Sequence, residues 1–373
     1  MDFNLSEEQQ LLVDSATRFM ADHYTLEGRR RHLEQGSAFN SERWQRIADM
    51  GWLMLNVPEE LGGLESPFVD TCLLMRCLGK TLCWEPVLTS GVWAASILAR
   101  LSDSPAAGDA LTAIAGGELR VAGLWSGFDS ETGVDFPISA NVDGRGNWHL
   151  SGQVPMVVDG PTADTLLVPA VAEESGEPLL LLVDIDGKGV MLDRYVLIDG
   201  TPAADIRFAG CTVPPAGCIA TGEDVRTLLD VAADRARLAC IAEAVGIMEA
   251  CLDLTADYIK NRRQFGQPIG NFQALQHTLA DMFIAAHEST SMLFYGLSKL
   301  ESSAGERGAA ISAAMLVVDR ALKEITEQGI QLHGGYGVTD EYAISHYHKR
   351  GLVLRQWLGS ADFHCDRFMS ERH

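Results

Sequence analysis

The sequence predicts an α+β fold with helices at both ends of the chain and a run of strands between them. Three observations carry the prediction. Apolar residues recur at three- and four-residue spacing up to about residue 117. From about 118 to 220 they fall into short runs separated by turn residues, and from 221 to 373 the helical spacing returns. The domains are therefore placed at 1–117, 118–220 and 221–373, and a chain of 373 residues suffices for two or three of them.

Ser6 followed by Gln9 has the spacing of a capping box, and Leu12, Ala16, Phe19 and Met20 then share one helical face. In MGWLMLNVPEELGG, Pro58 and Gly62-Gly63 close an apolar stretch in a turn. Helical spacing resumes in VDTCLLMRCLGK and TSGVWAASILARL. The middle segment reads as the strands RVAGLW, NWHLSG, TLLVPAV, PLLLLVDI, GVMLDR and ADIRFAG. Turn chemistry such as DGRGN and EESGEP divides them, and the pattern ends near VPPAG at 213–217. After Pro215 the only proline is Pro268. Leu238, Ile241, Val245, Met248 and Leu252 step by three and four, the stripe of a long helix facing a core. Two more helices follow, in FQALQHTLADMFIAAHESTSMLFYGLSKL and GAAISAAMLVVDRALKEITEQGIQLHGG.

Composition narrows the function. Hydrophobic residues make up 47% and charged residues 21%, as in a globular protein. A formal charge of -22 speaks against a nucleic-acid or anionic-membrane surface, so a phosphate-bearing ligand must be met by a few local cations. None of the eight cysteines forms a CxxC and most lie in apolar runs, which suits reduced, buried thiols. The start MDFNLSEEQQLL lacks the basic flank and apolar core of a signal peptide, and no apolar run reaches membrane-spanning length. A soluble cytoplasmic protein is expected. A GxGxxG after a strand, a Walker-type GxxxxGK[ST], an HExxH and a GxSxG are all absent. His346 and His348, flanking Tyr347, read as solvated surface and not as metal ligands, so no metal site is expected.

Two polar segments interrupt the last third. In NRRQFGQPIGNFQALQ, Arg262 and Arg263 close one helix, Gly266, Pro268 and Gly270 break the chain, and Gln273 and Gln276 open the next. One reading is a cation placed at a helix C-terminus. The other is a guanidinium fork beside amides, suited to a diphosphate. In QLHGGYGVTDEY, Gln331 ends a helical run and Gly334, Gly335 and Gly337 follow. A C-cap accounts for one glycine, and close approach of backbone to a ligand is the better account of three.

Taken together, RRQFGQPIGNFQALQHTLADM and QLHGGYGVTDEY resemble the signatures of the acyl-CoA dehydrogenase family. LSEEQQLL and VPEELGG are similar to its N-terminal helical domain, and DIRFAGCTVP to the last strand of its middle β-domain. The resemblance covers essentially the whole chain. It implies an N-terminal helical domain, a middle antiparallel β-domain and a C-terminal helical bundle. It also implies FAD shared across a subunit boundary and oxidation of an acyl-CoA between Cα and Cβ. By motif match, the residues kept for the adenine-diphosphate end are Arg262, Phe265, Gln273, Gln331, Gly334 and Gly335, and Gly359-Ser360 stand where the family has Gly-Thr.

The resemblance also marks what is missing. A catalytic Glu usually precedes that Gly-Thr pair, because removing a Cα proton needs a carboxylate base; here the position is Leu358. Relatives that carry the base on the long helix, one residue before an Arg, are matched by Ala236-Arg237. Glu243 lies seven residues on, about 10 Å further along the helix axis, and reads more readily as a helix-surface or subunit-contact residue. Asp362 is a weaker substitute still. The family's flavin-contacting loop is replaced by LWSGFDSETG, and Met156 and Val158 stand where its strand has a ring-stacking aromatic and a hydroxyl. No catalytic residue is therefore assigned. The resemblance implies a non-catalytic subunit of a heteromeric α2β2 acyl-CoA dehydrogenase of lipid or steroid catabolism. A catalytic partner subunit would supply the base, and an electron-transfer flavoprotein would accept electrons. A self-sufficient enzyme using Glu243 and a flavin-free acyl-CoA-binding scaffold are the alternatives.

Overall fold

The chain begins as a helix because its first turn is sealed by side chains. Ser6 Oγ accepts the Gln9 amide at 3.1 Å, and Gln9 Oε1 accepts the Ser6 amide at 3.1 Å. The computed structural model describes residues 5–36, 39–124, 136–357 and 359–371. Before the sheet come α1 Glu7–His23, α2 Leu26–Glu34, α3 Ser41–Asp49, α4 Phe68–Thr81, α5 Ala95–Ala99 and α6 Pro105–Ala115. After it come α7 Asp224–Asn261, α8 Gln273–Lys299, α9 Ala304–His333, α10 Ala343–Leu354 and α11 Ala361–Ser370. No helix of the described residues is long and apolar enough to cross a membrane.

The chain divides into two compact units. One comprises Met1–Gly36, Cys72–Cys83 and Arg237–His373; the other comprises Ser37–Thr71 and Trp84–Ala236. Helices α4 and α7 each contribute to both.

The first unit is helical. Two glycines let α4 and α7 touch backbone to backbone within it. A Cβ added at Gly79 would lie 2.1 Å from the Glu243 carbonyl oxygen, and one at Gly246 would lie 2.1 Å from that of Arg76. Glu249 of α7 receives Arg76 and Lys80 of α4, the latter at 2.8 Å, so the crossing is pinned by charge as well as shape. The stripe read from the sequence understates α7. From Val231 to Met248 every residue but Arg235 is buried, while Leu252 is only half-buried. A helix covered all round has no solvent face for a periodicity to expose.

The second unit is built on an eight-stranded sheet. Its strands are β1 Val121–Gly123, β2 Ile138–Val142, β3 Trp148–Val158, β4 Thr165–Ala172, β5 Pro178–Asp184, β6 Val190–Val196, β7 Pro202–Val213 and β8 Cys218–Thr221. The order is β6-β7-β3-β2-β4-β5-β8, with β1 also beside β4. Neighbours are antiparallel except β1–β4 and β2–β4, which run parallel. The β-domain implied by the resemblance is mainly antiparallel, and its two parallel pairs join strands that no local turn connects. Leu150, Val154, Val168, Leu181, Ile206 and Phe208 are core residues on its buried side, each worth roughly 1.5–3 kcal/mol of burial. Val87–Ala94, expected as ordinary α-helix, is a wider π-helical turn with all eight residues buried. Trp93 from this turn lies so close to β1 that a Cβ at Gly123 would fall 1.7 Å from its ring.

Candidate functional site

The hydrogen bonds that end α7 and α9 bring the two polar segments together. The Arg262 amide still donates to the Tyr258 carbonyl at 2.8 Å, the last turn of α7. The chain then doubles back as a hairpin of β9 Arg263–Gln264 and β10 Gln267–Pro268. Phe265 and Gly266 make its two-residue turn with φ of 53° and 80°, which glycine adopts freely and phenylalanine does not. Phe265 is 90% exposed. Ile269–Asn271 form one 3-10 turn before α8 starts at Gln273.

At the other segment, α9 stops at Gly334, whose φ is 63°. The three glycines have different reasons. Gly334 caps the helix. Gly337 packs on α9, where an added Cβ would lie 2.6 Å from the Ile330 carbonyl oxygen. An added Cβ would meet nothing within 4 Å at Gly334 or Gly335, so these two, and not Gly337, keep the open approach expected of all three. His333 donates Nδ1–H to the Gly329 carbonyl at 2.7 Å, which fixes its tautomer, and burial holds it below the ordinary histidine value. Its ring packs on Tyr258 with centroids 4.4 Å apart, and the Tyr258 hydroxyl donates to the His333 carbonyl at 3.3 Å.

Between the segments lies a cavity of about 450 Å³. Arg262, Gln264, Gln331, Gly334 and Gly335 line it, with Tyr258, Tyr336 and Thr339. In a chain of charge -22, its lining holds a guanidinium and no Asp or Glu. That donor set, with open backbone at Gly335, fits the diphosphate of a dinucleotide. The volume is within the roughly 300–1,000 Å³ usual for ligand pockets. The spacing of the motifs missed Gln264, Tyr258 and Thr339, which reach the cavity only because the hairpin and the helix end fold toward each other.

Three other motif residues lie elsewhere. Phe265 stands at the hairpin tip, and Gln273 is exposed on the first turn of α8. Ser360 caps α11, accepting the Phe363 amide at 3.2 Å.

Among the described residues near the usual base positions, Glu243 and Asp319 are engaged by arginines and Asp362 is exposed. Leu358 lies outside the described residues. Ala236 is fully buried in α7. Glu243 is not the surface or contact residue expected, because it is buried within its own unit and its two oxygens accept Arg350 Nε at 2.6 Å and Nη2 at 3.2 Å. Asp319 is held the same way by Arg355, at 2.7 and 3.1 Å. Asp362 is exposed in the first turn of α11. Beside Gly359, the interior among Cys240, Ile241, Met315, Leu322 and Leu354 leaves about 20 Å³, room for one water.

His346 and His348 are structural, although not solvated as expected. His346 is 1% exposed and its Nε2 meets the Asp340 carbonyl at 2.9 Å, while His348 Nδ1 meets Thr326 Oγ1 at 3.2 Å. Among the described residues no three His, Cys, Asp or Glu side chains are grouped to hold a metal.

Residues 6–107 match the family model of the acyl-CoA dehydrogenase N-terminal domain, and residues 228–371 that of the acyl-CoA dehydrogenase C-terminal domain. The chain belongs to the acyl-CoA dehydrogenase family. It is 26% identical over 356 residues to the acyl-CoA dehydrogenase IpdE2 of Mycolicibacterium smegmatis, covering 95% of this chain and 96% of that one. Its fold superposes on a chain of the ChsE4-ChsE5 complex from Mycobacterium tuberculosis with a TM-score of 0.88 and 26% identity, over 100% and 99% of the two chains. A chain of a Tcur3481-Tcur3483 steroid ACAD variant gives 0.86 and 26%, over 98% of each.

The acyl-CoA dehydrogenase β-domain keeps its strand at the flavin-contact motif but not the motif's chemistry. Met156 sits in a bulge between Val154 and Val157 with φ of 51°, and its amide donates to Asp205 at 3.0 Å. Val158 is buried and its side chain presents no polar atom. Asp159, with φ of 60°, accepts the Thr89 hydroxyl at 2.7 Å and ties the strand to the π-helical turn. Of the loop LWSGFDSETG, residues 125–133 lie outside the described residues, and Leu124 is buried.

Proposed function

We propose that this chain is the non-catalytic subunit of a heteromeric FAD-dependent acyl-CoA dehydrogenase, contributing the adenine-diphosphate half of a shared FAD site. The observation that carries the reading is an imbalance. Arg262, Gln331, Gly334 and Gly335 converge on one cavity free of acidic side chains, while the base positions hold Leu358 and Ala236 and Glu243 is spent on Arg350. Likeness to chains of a two-protein complex and of a steroid ACAD supports an assembly of two chain types acting on a bulky acyl thioester.

In this assembly Arg262 neutralises the diphosphate through its guanidinium, and the Gln264 and Gln331 amides offer neutral donors and acceptors beside it. Gly335 admits the phosphate oxygens close to the main chain. Phe265 and Gln273, both exposed, face the partner, and Ser360 holds the start of α11. FAD held at its diphosphate by Arg262 and Gln331 would supply the acceptor for a hydride from Cβ of the thioester. The proton from Cα would go to a carboxylate of the partner, because the usual base positions here hold Leu358 and Ala236. An electron-transfer flavoprotein drains the electrons. A flavin-free scaffold would have no use for a cation-lined cavity.

The experiment is Arg262→Ala in the purified complex. The ratio of flavin to protein absorbance is expected to fall by at least tenfold, with the assembly intact by size-exclusion chromatography. Unchanged flavin content would overturn the assignment of the cavity.

A further inference from the structure

We propose that Tyr336 recognises the base of the nucleotide, its ring serving as a stacking platform at the rim of the Arg262 cavity. The inference rests on the reading of that cavity as the site for an adenine-diphosphate end. Arg262 can anchor a diphosphate but cannot tell one base from another, since a guanidinium on phosphate reads only charge and shape. A base must be held through its planar face or its edge.

Three aromatic residues line the cavity. His333 is 2% exposed and its ring packs between Tyr258 and Tyr342, with centroids at 4.4 and 4.9 Å. Tyr258 is fixed by that packing and by its hydroxyl bond to the His333 carbonyl. Tyr336 is different, being 56% exposed. The backbone beneath it is nonetheless held, because its carbonyl accepts the Thr339 hydroxyl at 3.0 Å and the Thr339 amide at 3.2 Å. A large ring left open to solvent on a fixed backbone loses little conformational freedom when it covers a base. It follows directly on Gly335, where the open main chain admits phosphate. The diphosphate and the base would thus be met by adjacent residues. Phe265 is more exposed but does not line the cavity.

The test separates the base from the phosphates. Apo-complex is titrated with ADP and, separately, with inorganic pyrophosphate by calorimetry at low salt. Tyr336→Ala is expected to weaken ADP about tenfold and leave pyrophosphate unchanged, and Tyr336→Phe to bind both like the parent. Arg262→Ala is expected to weaken both ligands. If Tyr336→Ala weakens both equally, or leaves ADP binding intact while Arg262→Ala weakens it, the stacking role is wrong and the cavity assignment stands. If Arg262→Ala changes neither ligand, the cavity assignment fails and the stacking role with it.

Discussion

Glu243 shows how a tempting carboxylate is ruled out by its neighbours. Its side chain is 5% exposed and that of its partner Arg350 is 11% exposed, so the pair is desolvated and each charge depends on the other. Glu243→Gln removes the carboxylate that holds the buried Arg350 guanidinium and is expected to cost roughly 3–5 kcal/mol of stability, read as a lower denaturant midpoint. The turnover of the folded complex is expected to stay within a factor of two; a base would show the reverse pattern. The buried histidines make a second residue-scale prediction. Burial holds His333, His346 and His348 below the ordinary histidine value. Above about pH 6.5 the folded and unfolded chains both carry neutral imidazoles. Below it the unfolded chain takes up protons that the folded one resists, so stability falls with pH. Asp340, held below its usual range by Lys349, responds only nearer pH 4. A melting temperature that drops between pH 7.5 and 5.5, with the drop reduced in His346→Gln, is the expected result; an unchanged one contradicts it. None of this was legible in the sequence, where His346 and His348 looked like surface and Glu243 like a surface or contact residue, because burial depends on what packs over a residue.

Among the elements, α4 and α7 are joined by a main-chain contact made possible by what is missing from two side chains. A methyl group at Gly79 or Gly246 would sit 2.1 Å from a carbonyl oxygen of the other helix, far inside contact distance. Gly246→Ala is expected to destabilise by roughly 1–3 kcal/mol through overpacking, measured by urea denaturation. Equal stability to the parent would mean the helices separate without cost. Element type was readable where local chemistry decides it. The capping box at Ser6 and the helix breaks at Pro268 and Gly334 stand where the spacing put them. It was not readable where tertiary packing decides. The π-helical turn at Val87–Ala94, the all-round burial of α7 and the parallel pairing of β4 each depend on partners distant in sequence.

At the scale of the molecule, the proposed function makes the cavity one half of a shared site, and the sequence disclosed its lining unevenly. Arg262, Gln331, Gly334 and Gly335 were legible because their types and spacing follow from diphosphate chemistry, and they do line one cavity. Gln264 and Tyr258 were not, because they enter through the hairpin turn and the aromatic packing behind His333. Leu358 and Ala236 at the family's base positions were legible by resemblance, while the ion pair of Glu243 with Arg350 emerged only from the fold. Under the proposed function, a chain with this cavity and without the usual base acts only in company. The most direct measurement is acyl-CoA dehydrogenation by the purified chain alone, saturated with FAD, against the same chain assembled with its catalytic partner. The account predicts no turnover by the lone chain and turnover by the assembly; sustained dehydrogenation by the lone chain would contradict it.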